Sequence, residues 1–431
     1  MTLLLGAVGG ATLEGARPSV VFAQSDPNRE ADRLLDEGTE LYQVSQWQQA
    51  LDHWQRALAL YRQAGNRFGE ASTLGNIGVI YQLLGDYPEG LDYYEQSLVL
   101  TRELGDRGGE AAALANLGVI YWLLGEYSEA LDYSEQSLAL TRELNDRAKV
   151  AKVLDNIGII YRLLGEYSEA LDYSEQSLDL TRELGNRAGE ASALGNIGTI
   201  YRLLGDYPEA LDYSEQSLDL TRALGNRAGE ATTLSNIGTI YQLLGDYPQA
   251  LNYQEQSLAL TRELGARERT AKTLSNIGNT YQLLGDYPEA LDYYEQGLAI
   301  RRELGDRVGE ASTLANIGVL YDSLGDYPAA LDYYEQSLAI IREFGNRAEE
   351  ATILLNIGVL YDHQQEDERA IAAYREAVDI YEKIRTSNQA LEPALQEAYT
   401  AEIESTYRRL AALLRQQGRQ GEAQEVLDLL K

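Results

Sequence analysis

Residues 107–146 read RGGEAAALANLGVIYWLLGEYSEALDYSEQSLALTRELND, and this stretch decides the fold. Leu114, Leu117, Gly118 and Tyr121 stand at i, i+3, i+4 and i+7, one face of a 3.6-residue helical period. Gly125 follows as a helix-ending residue that takes positive φ without steric cost. Glu126 opens a second helix, which carries Ala130, Leu131 and Leu138 inward and runs to about Leu144. The stretch is therefore predicted to form two amphipathic helices joined by a tight turn.

The same text recurs at a strict forty-residue step. Asn76-Ile77-Gly78, Asn116-Leu117-Gly118 and Asn156-Ile157-Gly158 are in register, and the series continues at Asn196, Asn236, Asn276, Asn316 and Asn356. An aromatic follows each Asn, from Tyr81 to Tyr361, and a diverged earlier copy begins near Ala31 with Gly38, Leu41, Trp47 and Ala50 in register. Asp106, Asn186 and Asn346 stand where they would cap first helices, with Glu110 or Glu190 in the first turn. Pro88 falls in the first turn of a second helix, where its missing N–H costs nothing. Glycine inside a helix costs up to about 1 kcal/mol relative to alanine. The recurrence of Gly118 and its equivalents predicts that the neighbouring helix approaches too closely there for a Cβ. One such hairpin cannot bury its apolar face alone, whereas stacked hairpins can.

Composition narrows the function. The chain carries 68 acidic against 36 basic residues, a formal charge of −32. A field of that sign repels phosphate backbones and anionic lipid, so no nucleic acid and no membrane partner is expected. There is no cysteine, and His53 and His363 are the two histidines. Thiolate chemistry is excluded, and His-based zinc or Ser-His catalysis lacks its parts, so no cofactor and no enzymatic activity is expected. The acids of Asp86-Tyr87-Pro88-Glu89 and its copies lie at helix starts, where capping accounts for them. Near the N-terminus, Leu3–Leu13 is an apolar run followed by Val21-Phe22-Ala23-Gln24, a small-residue cleavage pattern with no basic segment before the run. Residues 1–29 thus read as a disordered leader or a signal peptide, and both a cytoplasmic and an exported location stay open.

The pattern Leu114, Leu117-Gly118, Tyr121, Leu124-Gly125, Tyr127, Ala130 resembles the tetratricopeptide repeat. The resemblance implies an all-α, right-handed α-solenoid of stacked antiparallel helix pairs, with nine units over residues 30–390. Residues 391–431 then form an extended helix and a C-terminal cap. The period is longer than the usual 34 residues, and the proline that normally closes the unit is replaced by Thr141-Arg142-Glu143-Leu144. The closing stretch Gly105–Ala111 resembles the longer repeats of Pins/LGN-type adaptors, and also bacterial arrays that precede caspase-like CHAT domains. The resemblance implies a protein-interaction scaffold, and in the CHAT comparison the sensor arm of a protease.

In that family the first helix of each pair lines the concave groove, and the resemblance places Asn76, Asn116, Asn156, Asn196, Asn236, Asn276, Asn316 and Asn356 there. An Asn amide both donates and accepts, so a ladder of them can pair with an extended peptide backbone. The alternative is that each Asn pins the neighbouring helix. Six residues after each Asn come Gln82, Trp122, Arg162, Arg202, Gln242, Gln282, Asp322 and Asp362. The chain has five lysines, and Lys149, Lys152 and Lys272 lie at first-helix starts. With Arg162 and Arg202 they would form a basic strip for the carboxylates of an acidic or C-terminal peptide, or else be solvated surface cations. Trp122 is a candidate peptide anchor or a packing residue. Asn279 is the one residue matching the extra Asn of the chaperone-tail clamp, whose lysine partners are missing. The periodic Arg67, Arg107, Arg147, Arg187, Arg227, Arg267, Arg307 and Arg347 read as inter-repeat salt bridges. A homo-oligomer built from near-identical open-ended units is the alternative to a scaffold for other proteins.

Overall fold

The computed structural model describes residues 26–387 and 393–430; residues 1–25 of the leader and signal-peptide readings fall outside them, while residues 27–29, read as leader, open the first helix. The described residues hold twenty helices, divided between two compact units. The first unit, ending at Leu124, contains α1 (Pro27–Gln43), α2 (Trp47–Ala64), α3 (Arg67–Leu83), α4 (Tyr87–Leu104) and α5 (Arg107–Leu124). The second, from Gly125, runs α6 (Tyr127–Glu143), α7 (Arg147–Leu164), α8 (Tyr167–Glu183), α9 (Arg187–Leu204), α10 (Tyr207–Ala223) and α11 (Arg227–Leu243). It continues with α12 (Tyr247–Glu263), α13 (Arg267–Leu284), α14 (Tyr287–Leu304), α15 (Arg307–Ser323), α16 (Tyr327–Phe344), α17 (Arg347–His363), α18 (Asp367–Ser387), α19 (Pro393–Gln416) and α20 (Gln420–Asp428). Within each unit a first helix packs along its own second helix and against the second helix of the pair before it, as α9 does with α10 and α8. The fold is an all-α solenoid of antiparallel helix pairs.

The turns follow from their chemistry. After α9, Gly205 sits at φ +80°, and the Asp206 N–H reaches back to the Tyr201 carbonyl at 2.9 Å, closing the helix end. Asn145 takes the same left-handed conformation at φ 53°, which Asn tolerates better than most residues. Most first helices are capped from the side chain: Asp106 accepts from Gly109 N–H at 2.9 Å, Asn186 from Gly189 at 3.1 Å and Asn346 from Glu349 at 3.2 Å, whereas α13, with Ala266 at its cap position, has no such bond. Second helices differ from the sequence expectation. Asp86, Glu126, Asp206 and Asp286 occupy the cap position without a side-chain cap bond, while Asp246 and Asp326 make one.

Packing bears out the reading of the recurrent glycine. A Cβ on Gly198 would lie 3.1 Å from the Ala210 carbonyl oxygen and 2.6 Å from Ser214 Oγ, and Gly158 meets Ala170 and Ser174 in the same way. The two helices touch backbone to backbone there. Around this contact Leu194, Ile197 and Ile200 are fully buried, each contributing roughly 1.5–3 kcal/mol of transfer free energy. Serines on α4, α8, α10, α12 and α16 donate to the first helix each covers, as Ser217 does to the Ala191 carbonyl at 2.8 Å. Tyr201 and Tyr213 stack across the pair with centroids 5.5 Å apart.

The arginine series behaves differently from its sequence reading. Arg227 bridges to Glu230 on its own helix and to Glu263 at the end of its paired second helix, both at 3.0 Å. It therefore braces one repeat from within and does not join two. The junction is held by another series. Arg222 at the end of α10 reaches Glu230 in the first turn of α11 at 3.0 Å, so that the glutamate sits between two guanidiniums. Glu190, Glu310 and Glu350 are buried and clamped in the same way. At the starts of α7 and α13 the clamped position holds Val150 and Thr270, and those two junctions have no such clamp. At the C-terminal end, Arg375 and Arg419 together hold the Glu422 carboxyl of α20.

Candidate functional site

Helical periodicity sorts each first helix into a buried stripe and an accessible one. On α7 the accessible stripe runs Lys152, Asp155, Ile159 and Arg162; on α9, Ser192, Gly195, Thr199 and Arg202; on α11, Thr232, Ser235, Thr239 and Gln242; on α13, Lys272, Asn279 and Gln282, with Ser275 buried between them. The ladder asparagines flank these stripes and are half-buried. Asn76, Asn116 and Trp122 belong to the first unit, and the other nominated residues to the second.

In the second unit a cavity of about 370 Å³ opens between α9, α11 and α13, with α12 as its floor. Arg202, Arg269 and Lys272 line it together with Asn236, Asn276, Ser235 and Thr239, and no carboxylate does. Every charged group facing this space is a cation, and the hydroxyls and amides can all donate. A cavity of equal size between α7 and α9 holds Lys152, Asp155, Asn156 and Ser192. In the first unit a smaller one, about 230 Å³, is lined by Asn76, Asn116, Asp106 and the exposed Phe68.

The asparagines divide into two groups. Asn196 donates to Asp155 at 2.8 Å and Asn276 to Ser235 at 3.3 Å, each pinning the preceding first helix. The remaining six carry no side-chain hydrogen bond among the described residues. Asp155 also accepts from Ser192 at 2.9 Å. Burial pushes its carboxyl above the ordinary aspartate range, and the bonds from Asn196 and Ser192 offset only part of that. Sequence reasoning passed over this residue, although it is the one acid in the register immediately before the ladder. Arg269 was missed as well, since its neighbours in that register are small.

The basic strip is brought together in part. Lys149 turns away to Asp146, 3.1 Å distant on its own cap, and so does not join the strip. Lys152, Arg162, Arg202 and Lys272 make no ion pair among the described residues. Arg162 and Arg202 are half-buried. Burial pulls both guanidiniums below the ordinary arginine range, and for Arg162 the like charge of Arg202 adds to it. At the equivalent positions Gln82 accepts from Tyr94 at 2.9 Å, Gln282 from Tyr294 at 2.8 Å, and Asp322 lies 3.0 Å from His363. Asn279 is held by the Tyr294 hydroxyl. Trp122 is half-buried in the last turn of α5.

A tetratricopeptide repeat model matches in eight overlapping windows, from 38–98 through 310–383. No curated protein sequence matches the chain. Among solved structures, a Rap protein complexed with Competence and Sporulation Factor superposes with a TM-score of 0.59 at 17% identity, over 82% of this chain and 98% of that one. The apo quorum sensor NprR from B. thuringiensis gives 0.56 at 17% identity, over 82% and 99%. Aspartyl phosphate phosphatase F from Bacillus subtilis gives 0.54 at 15% identity, over 85% and 96%. At these identities the likeness is one of fold. Among the described residues no helix is long and apolar enough to cross a membrane.

Proposed function

The chain belongs to the tetratricopeptide repeat family, and from that premise we propose that it is a non-enzymatic scaffold that binds an acidic, extended peptide segment along its first helices. The observation that carries this is the cavity lined by Arg202, Arg269 and Lys272 with no facing carboxylate, in a chain of net charge −32. A carboxylate side chain or a C-terminal carboxylate completes the charge balance there. Asn236 and Asn276 stand on the same wall to meet the peptide backbone. One Rap structure was solved complexed with Competence and Sporulation Factor and another Rap regulator with the Phr* peptide, which supports a protein or peptide partner; the acidic character is our reading of the cavity. We also assign residues 30–390 to the repeats and 391–431 to a cap. In its narrower form the proposal makes the array the sensor arm of a CHAT-type protease, on the resemblance of the Gly105–Ala111 stretch, and co-purification with a caspase-like partner tests that form.

Fluorescence anisotropy with short acidic, neutral and basic peptides tests the scaffold reading. Acidic peptides bind best, and Arg269→Glu/Lys272→Glu weakens them about tenfold or more. A preference for basic peptides, or wild-type affinity in the double variant, overturns it.

A further inference from the structure

The chain repeats itself closely enough to serve as its own control, and at one register it changes two residues together. Where the last turn of a first helix carries Gln82 or Gln282, the covering helix supplies Tyr94 or Tyr294, whose hydroxyl donates to it. Gln242 is met by Gln254 at 3.4 Å. In the repeats begun by α7 and α9 the last-turn residue is Arg162 or Arg202, and the covering residue twelve positions on is Ser174 or Ser214. Serine is too short to reach across. Serine also stands twelve positions after Trp122, at Ser134, so three repeats share the short residue, and in two of them the last-turn residue is a cation with no internal partner.

The consequence is visible in the atoms. Arg162 Nε is sealed from solvent without an acceptor, and Ser174 Oγ is buried without a partner. Neither arginine has a carboxylate among the described residues, although the chain has 68 acidic residues and most other arginines on the repeats are paired. The helices that carry the two arginines, α7 and α9, pack against each other, and the like charge of Arg202 adds to the lowering at Arg162. A half-buried cation pair without a counter-ion is an unfavourable arrangement unless something anionic completes it.

We propose that Arg162 and Arg202 together hold one phosphate monoester dianion. Two planar forks at the same register of neighbouring first helices present a charge of +2 and several N–H donors, which matches a dianion with three terminal oxygens better than a single carboxylate. Phosphate is the shared chemistry, and its source is either a phosphorylated side chain on the bound segment or a free phosphorylated small molecule. The first source rests on the peptide reading above; the site itself does not.

The test is isothermal titration calorimetry on the full chain with inorganic phosphate, O-phosphoserine, a degenerate phosphoserine peptide library and the same library carrying glutamate. The phosphoserine library binds about tenfold or more tighter than its glutamate twin, and Arg162→Gln or Arg202→Gln abolishes the difference. Binding of O-phosphoserine or inorganic phosphate as tight as that of the library assigns the site to a free small molecule. Thermal melts supply a readout that a structural role would not give: without ligand, Arg162→Gln melts at or above the wild-type temperature, because an uncompensated charge has been removed. Equal affinity for the phosphorylated and glutamate libraries together with no response to the small phosphates overturns the proposal, as does a ligand-free Arg162→Gln that melts well below wild type. If acidic peptides still bind through Arg269 and Lys272 in that case, the phosphate site alone has failed.

Discussion

Asn196 donates its side-chain amide to the Asp155 carboxyl 2.8 Å away, across forty-one positions of sequence. That bond joins the first helices of two successive repeats, and it divides the asparagine ladder by role. Asn196→Ala breaks the pin and lowers stability by about 1 kcal/mol, while Asn236→Ala, which removes no protein partner, stays within about 0.5 kcal/mol of wild type. Chemical denaturation measures both, and peptide binding moves the other way: Asn236→Ala weakens it more.

Asp155 itself gives a pH signature. Its carboxyl is raised by burial, so protonation favours the folded state, and the stability associated with it is lost as pH rises through the folded-state value. Asp155→Asn keeps an acceptor for Asn196 without the charge. The variant is therefore as stable as wild type or more so at neutral pH, and wild type recovers relative to it as the medium is acidified. Urea melts at a series of pH values check this; a variant markedly weaker at neutral pH contradicts it.

Glu310 runs in the opposite sense. Burial raises its carboxyl, but the bonds from Arg302 and Arg307 outweigh that and leave it below the ordinary glutamate range. The stability it contributes is present above the ordinary value and fades as pH falls through the lowered one. Glu310→Gln costs roughly 1–2 kcal/mol at neutral pH and flattens the acid limb of the stability profile.

Gly198→Ala separates intrinsic helix preference from packing. Preference alone favours alanine by up to about 1 kcal/mol. The added Cβ would meet the Ala210 carbonyl at 3.1 Å, so the net outcome is a loss of about 1–3 kcal/mol. A stabilised variant in thermal melts shows that the helices can move apart cheaply.

Thr270→Glu restores a missing clamp. Arg262 and Arg267 stand where Arg222 and Arg227 hold Glu230, and glutamate is accommodated as a buried residue at the four equivalent positions Glu190, Glu230, Glu310 and Glu350. The substitution raises stability by about 1 kcal/mol, read as a shift in denaturation midpoint.

The fold was legible because local and long-range signals coincide: helical spacing at Leu114, Leu117 and Tyr121, turn glycines such as Gly205, and the forty-residue step describe one object. The glycine inside the first helix was also readable, since its recurrence against its own propensity admits few causes. The ion pairs were not. Two arginine series share the period, and sequence alone does not say whether Arg222 or Arg227 crosses to the next repeat; that depends on which helix end lies beside Glu230. The site was legible in its residue types and less so in their engagement. Asn196 and Asn236 are identical in register, and only the residue before the preceding Asn, Asp155 against Gly195, decides that one is tied and the other is open.

Val150 and Thr270 give the unclamped junctions a mechanical meaning. The second unit is a series of like links, and a tension along a series is borne equally by every joint. Parting therefore begins at the weakest joints, between α6 and α7 and between α12 and α13, ahead of the arginine-braced ones. The block from α7 to α12, which carries Arg162 and Arg202, would come away as one piece before it came apart.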